Sequence, residues 1–162
     1  MCDDSGERRF MWANTIYGRE GRHRTPYMTR WLFGRLRVHL FHRGDLDPDC
    51  HDHPWDFWTF PLTDYIEEVR DPETGRITLQ VVRAFRLHRR SAEHAHRVLG
   101  PVMHGLYAGH EAQVYDLGGR LWTQLPGRIW TVVLRSKSRR LWGFWRDNIW
   151  VDWRTYVYGR AS

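Results

Sequence analysis

The residues most able to do chemistry are two histidines, His51 and His53, in the segment 49–68. Alternate side chains of an extended strand lie on one face, so both imidazoles would project the same way, about 7 Å apart at the backbone. Two imidazoles on one face form part of a metal site and need further ligands from elsewhere in the chain. The pair therefore predicts a metal centre that the fold must complete.

A third histidine is available more than forty residues later, in the strand-like segment 91–98. His96 comes just before Arg97, Val98 and an apolar run, whereas His94 shares its strand face and competes for the same role. Three imidazoles around one divalent ion would leave coordination positions open for water, substrate or O₂. Imidazole binds Fe, Zn, Ni and Cu alike, so this ligand set does not identify the metal.

Short strands separated by turn-forming residues make up most of the chain. Leu36, Val38 and Leu40 alternate with polar and aromatic residues, and residues 44–49 form a turn rich in Gly, Pro and Asp. Further strands are predicted at 57–60, 65–69, 77–87, 129–135 and 141–145, with a hairpin turn at 61–64. The pattern has no convincing helical period and predicts an all-β sandwich or barrel.

The predicted organisation is one domain at residues 27–162, preceded by a polar N-terminal arm at 1–26. A chain of 162 residues can bury most of its apolar surface in a single core. The segment 99–127 is rich in glycine and is predicted to be a loop-rich insertion or lid. Residues 147–162 form an aromatic tail that is predicted to pack over one end of the barrel.

Composition restricts the setting and the partners. The two cysteines, Cys2 and Cys50, argue against a disulfide framework. The sequence starts without an apolar signal segment and has no run of about 18 apolar residues, so we expect a soluble cytoplasmic protein without a membrane span. The net charge is +6, but the arginines are scattered, which favours a solvated surface over a nucleic-acid-binding face. Ten tryptophans fit an aromatic core or an aromatic-lined pocket.

With these residues in view, the chain resembles the cupin superfamily, small jelly-roll barrels that hold one metal ion inside. The first cupin motif begins with Gly and continues to His-x-His, as Gly44, His51 and His53 do here, and the second ends in a histidine that His96 matches. Residues 27–31, 51–57 and 142–145 are similar to segments of small phage and bacterial cupins. The resemblance implies a double-stranded β-helix (jelly-roll) barrel with one divalent ion, Fe(II) being favoured and Zn, Ni, Mn or Cu being alternatives.

The chain departs from the first cupin motif in one respect. Where that motif supplies a Glu after the second histidine, this chain has Phe57 and Trp58. Asp56 comes one residue early and would reach the metal only through a β-bulge. If the following turn makes a hairpin, Phe57 lies opposite Glu68, whose carboxylate would point into the barrel, while a slip of one residue would place Glu67 there. A site of three histidines without a carboxylate is the remaining alternative.

Several polar residues are candidates for roles around the metal. Arg83 alternates in step with the apolar positions of residues 79–87, so it would point inward if that face lines the barrel. The candidate catalytic or substrate-binding groups are Tyr65, Arg83 and Arg97, the arginines serving an anionic substrate. Asp52 or Glu93 would orient the imidazoles through hydrogen bonds.

The leading hypothesis is a metal-dependent cupin enzyme that acts on a small molecule, with a non-haem Fe(II) dioxygenase or oxygenase as its first subclass. Cupins that resemble thiol dioxygenases also use three histidines, which motivates that subclass. The alternatives are a redox-neutral lyase, isomerase or hydrolase, and a non-catalytic module that binds a metal or another ligand. The resemblance further implies a homodimer that pairs through strands or through residues 1–26.

Overall fold

The computed structural model of the protein describes residues 12–20, 23–106, 113–116 and 118–159. Within these residues the chain forms fourteen strands and one short helix. In chain order the elements are β1 (Trp12–Glu20), β2 (His23–Phe33), β3 (Leu36–Phe41), β4 (Cys50–His51), β5 (Phe57–Pro61), β6 (Tyr65–Arg70), β7 (Ile77–Val82), β8 (His88–Arg90), β9 (Ala95–His104), β10 (Gln113–Tyr115), β11 (Leu121–Gln124), β12 (Ile129–Arg135), β13 (Gly143–Arg146), β14 (Ile149–Asp152) and α1 (Trp153–Tyr158). None of the helical residues described here makes a segment long and apolar enough to cross a membrane.

The strands form two curled antiparallel sheets that face each other as a half-barrel. The six-stranded sheet has the order β1-β2-β3-β12-β5-β8. The larger sheet has the order β10-β11-β9-β4-β13-β14, and β6 joins it by pairing with both β9 and β7. The predicted all-β fold, with antiparallel sheets curled toward a barrel, is confirmed.

The core between the sheets follows from strict alternation along the strands. In β12, Ile129, Thr131 and Val133 are buried, whereas the side chains between them face outward. Ile129 packs with Tyr65, Val82 and Val98 of the opposite sheet, and Phe41 joins this cluster from β3. The two sheets therefore bury one apolar layer at this end of the barrel and leave the remaining inner positions for polar residues.

The segment 99–127 contains regular structure where a loop-rich insertion was predicted. β9 continues to His104, β11 pairs with it, and β10 pairs with β11, so the larger sheet is extended on one side. Trp122 is fully buried against Ile66 and Val102 in a second apolar cluster on the outer face of that sheet. Residues 107–112 and 117, where a lid was also considered, lie outside the described residues.

Both ends of the described chain also differ from the sequence prediction. β1 pairs with β2 from Trp12 to Glu20, so the N-terminal residues from 12 onward form a sheet edge where an irregular arm was predicted. At the other end, residues 149–152 pair with β13, and α1 begins after Asp152, whose carboxylate accepts a hydrogen bond from the Arg154 N–H. The predicted aromatic tail is therefore a strand and a helix within the fold.

The hairpin predicted at residues 61–64 is wrong. β5 belongs to the six-stranded sheet, where its neighbours are β12 and β8, whereas β6 belongs to the larger sheet. The turn carries the chain from one sheet to the other, so Phe57 lies opposite Arg90 and Arg135 and does not face Glu68. The register of β6 is set by β7 and β9, and this decides which glutamate enters the barrel.

Gly44 lets the loop before β4 cross β9 at very close range. A Cβ at this position would collide with the backbone carbonyl of Leu99 and crowd that of Val98. The next residue, Asp45, fixes the crossing, because its N–H donates to the Val98 carbonyl at 2.7 Å and its carboxylate accepts the Val98 N–H at 2.8 Å. The glycine that begins the first cupin motif is therefore required here by backbone packing.

Gly44→Ala is accordingly expected to lower the free energy of unfolding by about 1–3 kcal/mol, because the loop or β9 must move to admit a methyl group. Urea denaturation measures the change. Gly118→Ala, in an exposed turn, is the control and should alter stability by less than about 0.5 kcal/mol. Equal effects of the two substitutions would contradict the proposed role of the close crossing.

Candidate metal centre

Strand β4, the loop that follows it and strand β9 bring His51, His53 and His96 together inside the barrel. His51 of β4 lies directly opposite His96 of β9 in the antiparallel register. His53 follows two residues later, and its N–H donates to the Ala92 carbonyl at 3.0 Å, which keeps it beside β9. One nitrogen from each of the three imidazoles lies within 4.8 Å of the other two.

The spacing of these nitrogens suits one divalent ion. The Nε2 atoms of His53 and His96 are 3.0 Å apart. Two nitrogens that bind one ion at about 2.1 Å and at right angles would be about 3.0 Å apart. Phe57 packs edge-on against His53 with ring centroids 4.8 Å apart, and Phe144 lies 5.7 Å from His51. Three converging imidazoles between aromatic walls are a donor set that fits a metal ion.

Glu67 supports this group from within the larger sheet. Its side chain is 0% exposed, and Oε2 lies 2.7 Å from Nδ1 of His96. Oε1 accepts a hydrogen bond from Arg90 at 2.7 Å. Burial alone would raise the pKa of Glu67, but His96, His94 and Arg90 together hold it well below its usual value. Glu67 is therefore a carboxylate that accepts the Nδ1–H of His96 and leaves the Nε2 lone pair free to face His53.

A second group of possible ligands overlaps the first. Glu67, His94 and His96 also have ligand atoms within 4.8 Å of one another. An ion there would need Nδ1 of His96 in place of Nε2, and it would compete with the hydrogen bond from His96 to Glu67 and with the Arg90 ion pair. The group of three histidines keeps both interactions, and we take it as the metal centre.

Two of the three converging imidazoles, those of His51 and His53, are neutral near pH 7. Burial lowers the pKa of His51, and burial with the neighbouring His96 and His51 lowers that of His53 well below its usual value. Burial also lowers the pKa of His94, although Glu67 opposes the shift. Neutral imidazoles carry the lone pairs that a metal requires, so no proton has to be displaced from them at this pH.

The carboxylates predicted as ligands lie elsewhere. Glu68 points to the outer face of β6, where its carboxylate forms an ion pair with Arg97 at 2.8 Å. Asp56 accepts hydrogen bonds from the Ala92 N–H at 2.8 Å and from Arg139 at 2.9 Å, and it stays outside the cluster of histidines. The structure therefore puts neither of them among the converging ligands, because the β6 register turns Glu67 inward and no bulge turns Asp56.

The predicted pocket groups are also separated. Tyr65 is buried in the core between the sheets, and burial raises its pKa well above the usual value. Arg83 lies over the Trp122 ring at 4.5 Å and within 3.4 Å of Asp64, because the apolar face of residues 79–87 points outward. Arg97 is likewise held on the outer face by Glu68. Of the three, Tyr65 alone is on the inner side.

Asp52 and Glu93 do not contact the imidazoles that they were predicted to orient. Asp52 points away from the ligands and binds the Gly143 N–H and Arg140, whereas Glu93 pairs with Arg139. Sequence reasoning missed Arg90 as the partner of Glu67. The available signal was alternation: residue 67 shares a face of β6 with the apolar residues 65 and 69, and a carboxylate on such a face needs a buried cation.

A cavity of about 520 Å³ lies next to this centre. It is lined by His94 and by inward residues of β7, among them Gln80, which lies opposite Glu67 in the register. Within the described chain, β7 and β8 are edge strands of different sheets, so the barrel is open between them. The cavity therefore reaches His94, whose ring centroid lies 5.2 Å from that of His96, and its lining does not include the three converging histidines.

His39 is a further histidine on the inner face, and it should make stability depend on pH. Burial, with Arg37 and Arg30 adding to it, lowers its pKa to about 3, whereas an unfolded histidine has a pKa of about 6.5. Below about pH 6.5 the unfolded chain binds a proton that the folded chain does not bind. The free energy of unfolding should therefore fall with decreasing pH, by up to about 1.4 kcal/mol per pH unit from this group.

His39→Gln is expected to remove that part of the slope when metal-free protein is denatured with urea between about pH 6.5 and pH 5. His23→Gln, at an exposed histidine of β2, controls for the loss of one titrating group and should keep the parent slope. If the free energy of unfolding of the His39 variant changes with pH as steeply as that of the parent, this histidine is protonated in the folded protein.

No family model and no curated protein match the sequence. Eleven chains of solved structures are similar. One is the crystal structure of Fe(II)-HppE with the alternative substrate (S)-1-HPP, which has 8% sequence identity and a TM-score of 0.46 over 75% of this chain. The match spans 56% of that structure's chain. The assignment of the metal centre therefore rests on the positions of the three histidines.

Proposed function

We propose that the protein is a metal-dependent cupin enzyme that acts on a small molecule, with one divalent ion held by His51, His53 and His96. The observation that carries the proposal is the convergence of three imidazoles, one of which is oriented by the buried carboxylate of Glu67. The cavity beside His94 supports an enzyme over a purely structural metal site, because it would hold a small molecule one side chain away from His96.

The leading subclass is an Fe(II)-dependent oxygenase. A ligand set of imidazoles alone supports it, since it is similar to that of three-histidine cupins. Fe(II) in this place would supply O₂-dependent oxidation of a bound substrate, whereas Zn or Ni would supply Lewis-acid chemistry.

The residues around the ligands have separable roles in this proposal. Glu67 keeps a proton on Nδ1 of His96 and so fixes which nitrogen faces the ion. Arg90 balances the charge of that carboxylate. Phe57 and Phe144 restrict water around His53 and His51, which strengthens electrostatic interactions in the site.

Elemental analysis of the purified protein tests the proposal. The parent is expected to hold about one metal ion per chain, and His51→Ala/His53→Ala to hold less than about a tenth of that, because one imidazole cannot retain the ion. His23→Ala/His104→Ala removes two exposed histidines and should keep the parent stoichiometry. A folded parent that neither carries nor takes up metal would contradict the proposal and favour a binding module.

Anaerobic reconstitution with each metal, followed by a screen for O₂ uptake, tests the subclass. O₂ consumption that needs Fe(II) and a small-molecule substrate would support the oxygenase. Turnover without O₂ would exclude it and leave a redox-neutral lyase, isomerase or hydrolase. The predicted homodimer and cytoplasmic location stay predictions.

A further inference from the structure

The inner face of the six-stranded sheet carries arginines that the proposed metal chemistry does not use. Arg30, Arg37 and Arg135 come from the three adjacent strands β2, β3 and β12. Arg30 lies opposite His39 in the register, and Arg135 lies opposite the buried Phe57, so both occupy inward positions. This concentration of positive charge therefore faces the interior of the barrel.

Two of the three arginines, Arg30 and Arg135, have only neutral hydrogen-bond acceptors among the residues that the structure describes. Arg30 is 6% exposed, and its Nε donates to the neutral side-chain oxygen of Asn14 at 2.8 Å. Arg135 donates from one terminal nitrogen to the Ser136 carbonyl at 3.4 Å. Among the residues that the structure describes, no carboxylate forms an ion pair with either Arg30 or Arg135. A buried guanidinium is costly without a counter-charge, so this face has the electrostatics of an anion site.

The arginine cluster adjoins the metal centre through Trp55. The guanidinium carbons of Arg37 and Arg135 each lie 4.8 Å from the centroid of this ring. Trp55 follows His53 by two residues, and Phe57, the register neighbour of Arg135, packs against His53 at 4.8 Å. A small molecule held by these guanidinium groups would therefore have its other end near the histidines.

His39 adds a hydrogen-bonding group to the same face. Its Nε2 is buried and has no hydrogen-bond partner among the described residues. Because buried polar atoms are nearly always paired, such a nitrogen indicates a partner that the folded chain does not supply. Its register partners are Arg30 on one side and Thr131 on the other, so that partner would lie within the arginine cluster.

We infer that the substrate is a small anionic molecule whose carboxylate or phosphoryl group is bound by Arg30, Arg37 and Arg135. Guanidinium groups match these oxyanions because their planar donors can form two parallel hydrogen bonds. The inference rests on the proposed function, because the metal would act on the other end of the substrate. The anion site itself does not require the metal and is present in the metal-free chain. Trp55 reports on the site because it touches two of the three arginines.

Fluorine NMR of the full chain labelled with fluorotryptophan tests this inference. Sodium phosphate and sodium acetate are titrated into metal-free protein at constant ionic strength, and Trp55→Phe identifies the signal of Trp55. Trp153 is the internal reference, because Arg154 lies over it at the same 4.8 Å and neither residue belongs to the arginine cluster. We expect at least one anion to shift the Trp55 signal saturably and to leave that of Trp153 unchanged.

Arg135→Gln is expected to weaken the apparent affinity by at least about tenfold, and Arg135→Lys, which keeps the charge without the planar donors, by a smaller factor. Arg154→Gln should bind as the parent does. The tighter of the two anions identifies the substrate group as phosphoryl or carboxylate. The absence of a saturable shift with both anions, or parent affinity in the Arg135 variants, would overturn the inference. Metal analysis of the same proteins as purified, before the metal is removed, reports separately on the proposed function.

Discussion

Replacing Glu67 with glutamine is expected to weaken metal binding by about 10- to 100-fold. The same change should lower the free energy of unfolding by about 3–5 kcal/mol. An amide at this fully buried position no longer gives His96 a carboxylate acceptor, so the tautomer that presents Nε2 to the ion is less favoured. It also leaves Arg90 without its anionic partner, since the two are 2.7 Å apart in the parent. One substitution therefore changes both the ligand geometry and the charge balance.

Competition with a chromogenic chelator measures the metal affinity, and urea denaturation of the metal-free protein measures stability. Glu68→Gln is a closely matched control, because Glu68 is the next residue of β6 and is ion-paired to Arg97 on the partly exposed outer face. Glu68→Gln should lower the free energy of unfolding by less than about 1 kcal/mol and leave metal affinity unchanged. Similar results for the two variants would mean that Glu67 does not orient His96.

The contrast between Glu67 and Glu68 also shows which part of the site could be predicted from the sequence. Alternation limited the inward carboxylate to one of two adjacent residues, because a shift of one position reverses the face. The choice depended on which strands flank β6, and the short turn at 61–64 suggested a hairpin with β5. The observed neighbours are β7, which follows β6 through a local turn, and β9. The residues of β9 that pair with β6 lie 25 to 36 positions away along the chain. Such pairing is decided by the packing of the whole barrel, and no local pattern encodes it.

The three histidines were easier to predict than their surroundings. His51 and His53 are close in sequence, and the two-residue period of a strand predicts that they act together. His96 was found through its strand-like context and the resemblance to the second cupin motif. Arg30 and Arg135 could not be assigned to the site in the same way, because the chain has 25 lysines and arginines and the burial of any one depends on sheet order.

Asp52, between two of the ligands, was expected to orient them, and its contacts predict a different role. Its side chain is 1% exposed. Its Oδ1 accepts the Gly143 N–H at 2.8 Å, and its Oδ2 accepts hydrogen bonds at 2.9 Å from both Arg140 and the Trp150 indole. Asp52 therefore joins the ligand segment to the β13–β14 hairpin on the side away from the metal.

Asp52→Asn is expected to lower the free energy of unfolding by about 2–4 kcal/mol, because an amide nitrogen in place of Oδ2 would face two donors and leave them unpaired. Urea denaturation of metal-free protein measures the loss. Asp116→Asn is a matched control, since Asp116 also accepts bonds from an arginine, an indole and backbone N–H groups, but in the peripheral β10–β11 turn. Asp116→Asn should lower the free energy of unfolding by about 1–2 kcal/mol.

The two aspartate variants should also differ at the metal. Asp116 lies far along the chain from the ligands, so its substitution should leave metal affinity at the parent value. Asp52→Asn should reduce affinity by less than about tenfold, a smaller effect than that of Glu67→Gln, because the imidazoles keep their partners while the backbone between them loses an anchor. A larger loss of affinity in Asp52→Asn than in Glu67→Gln would show that the backbone anchor, and not the carboxylate on His96, controls the ligand geometry.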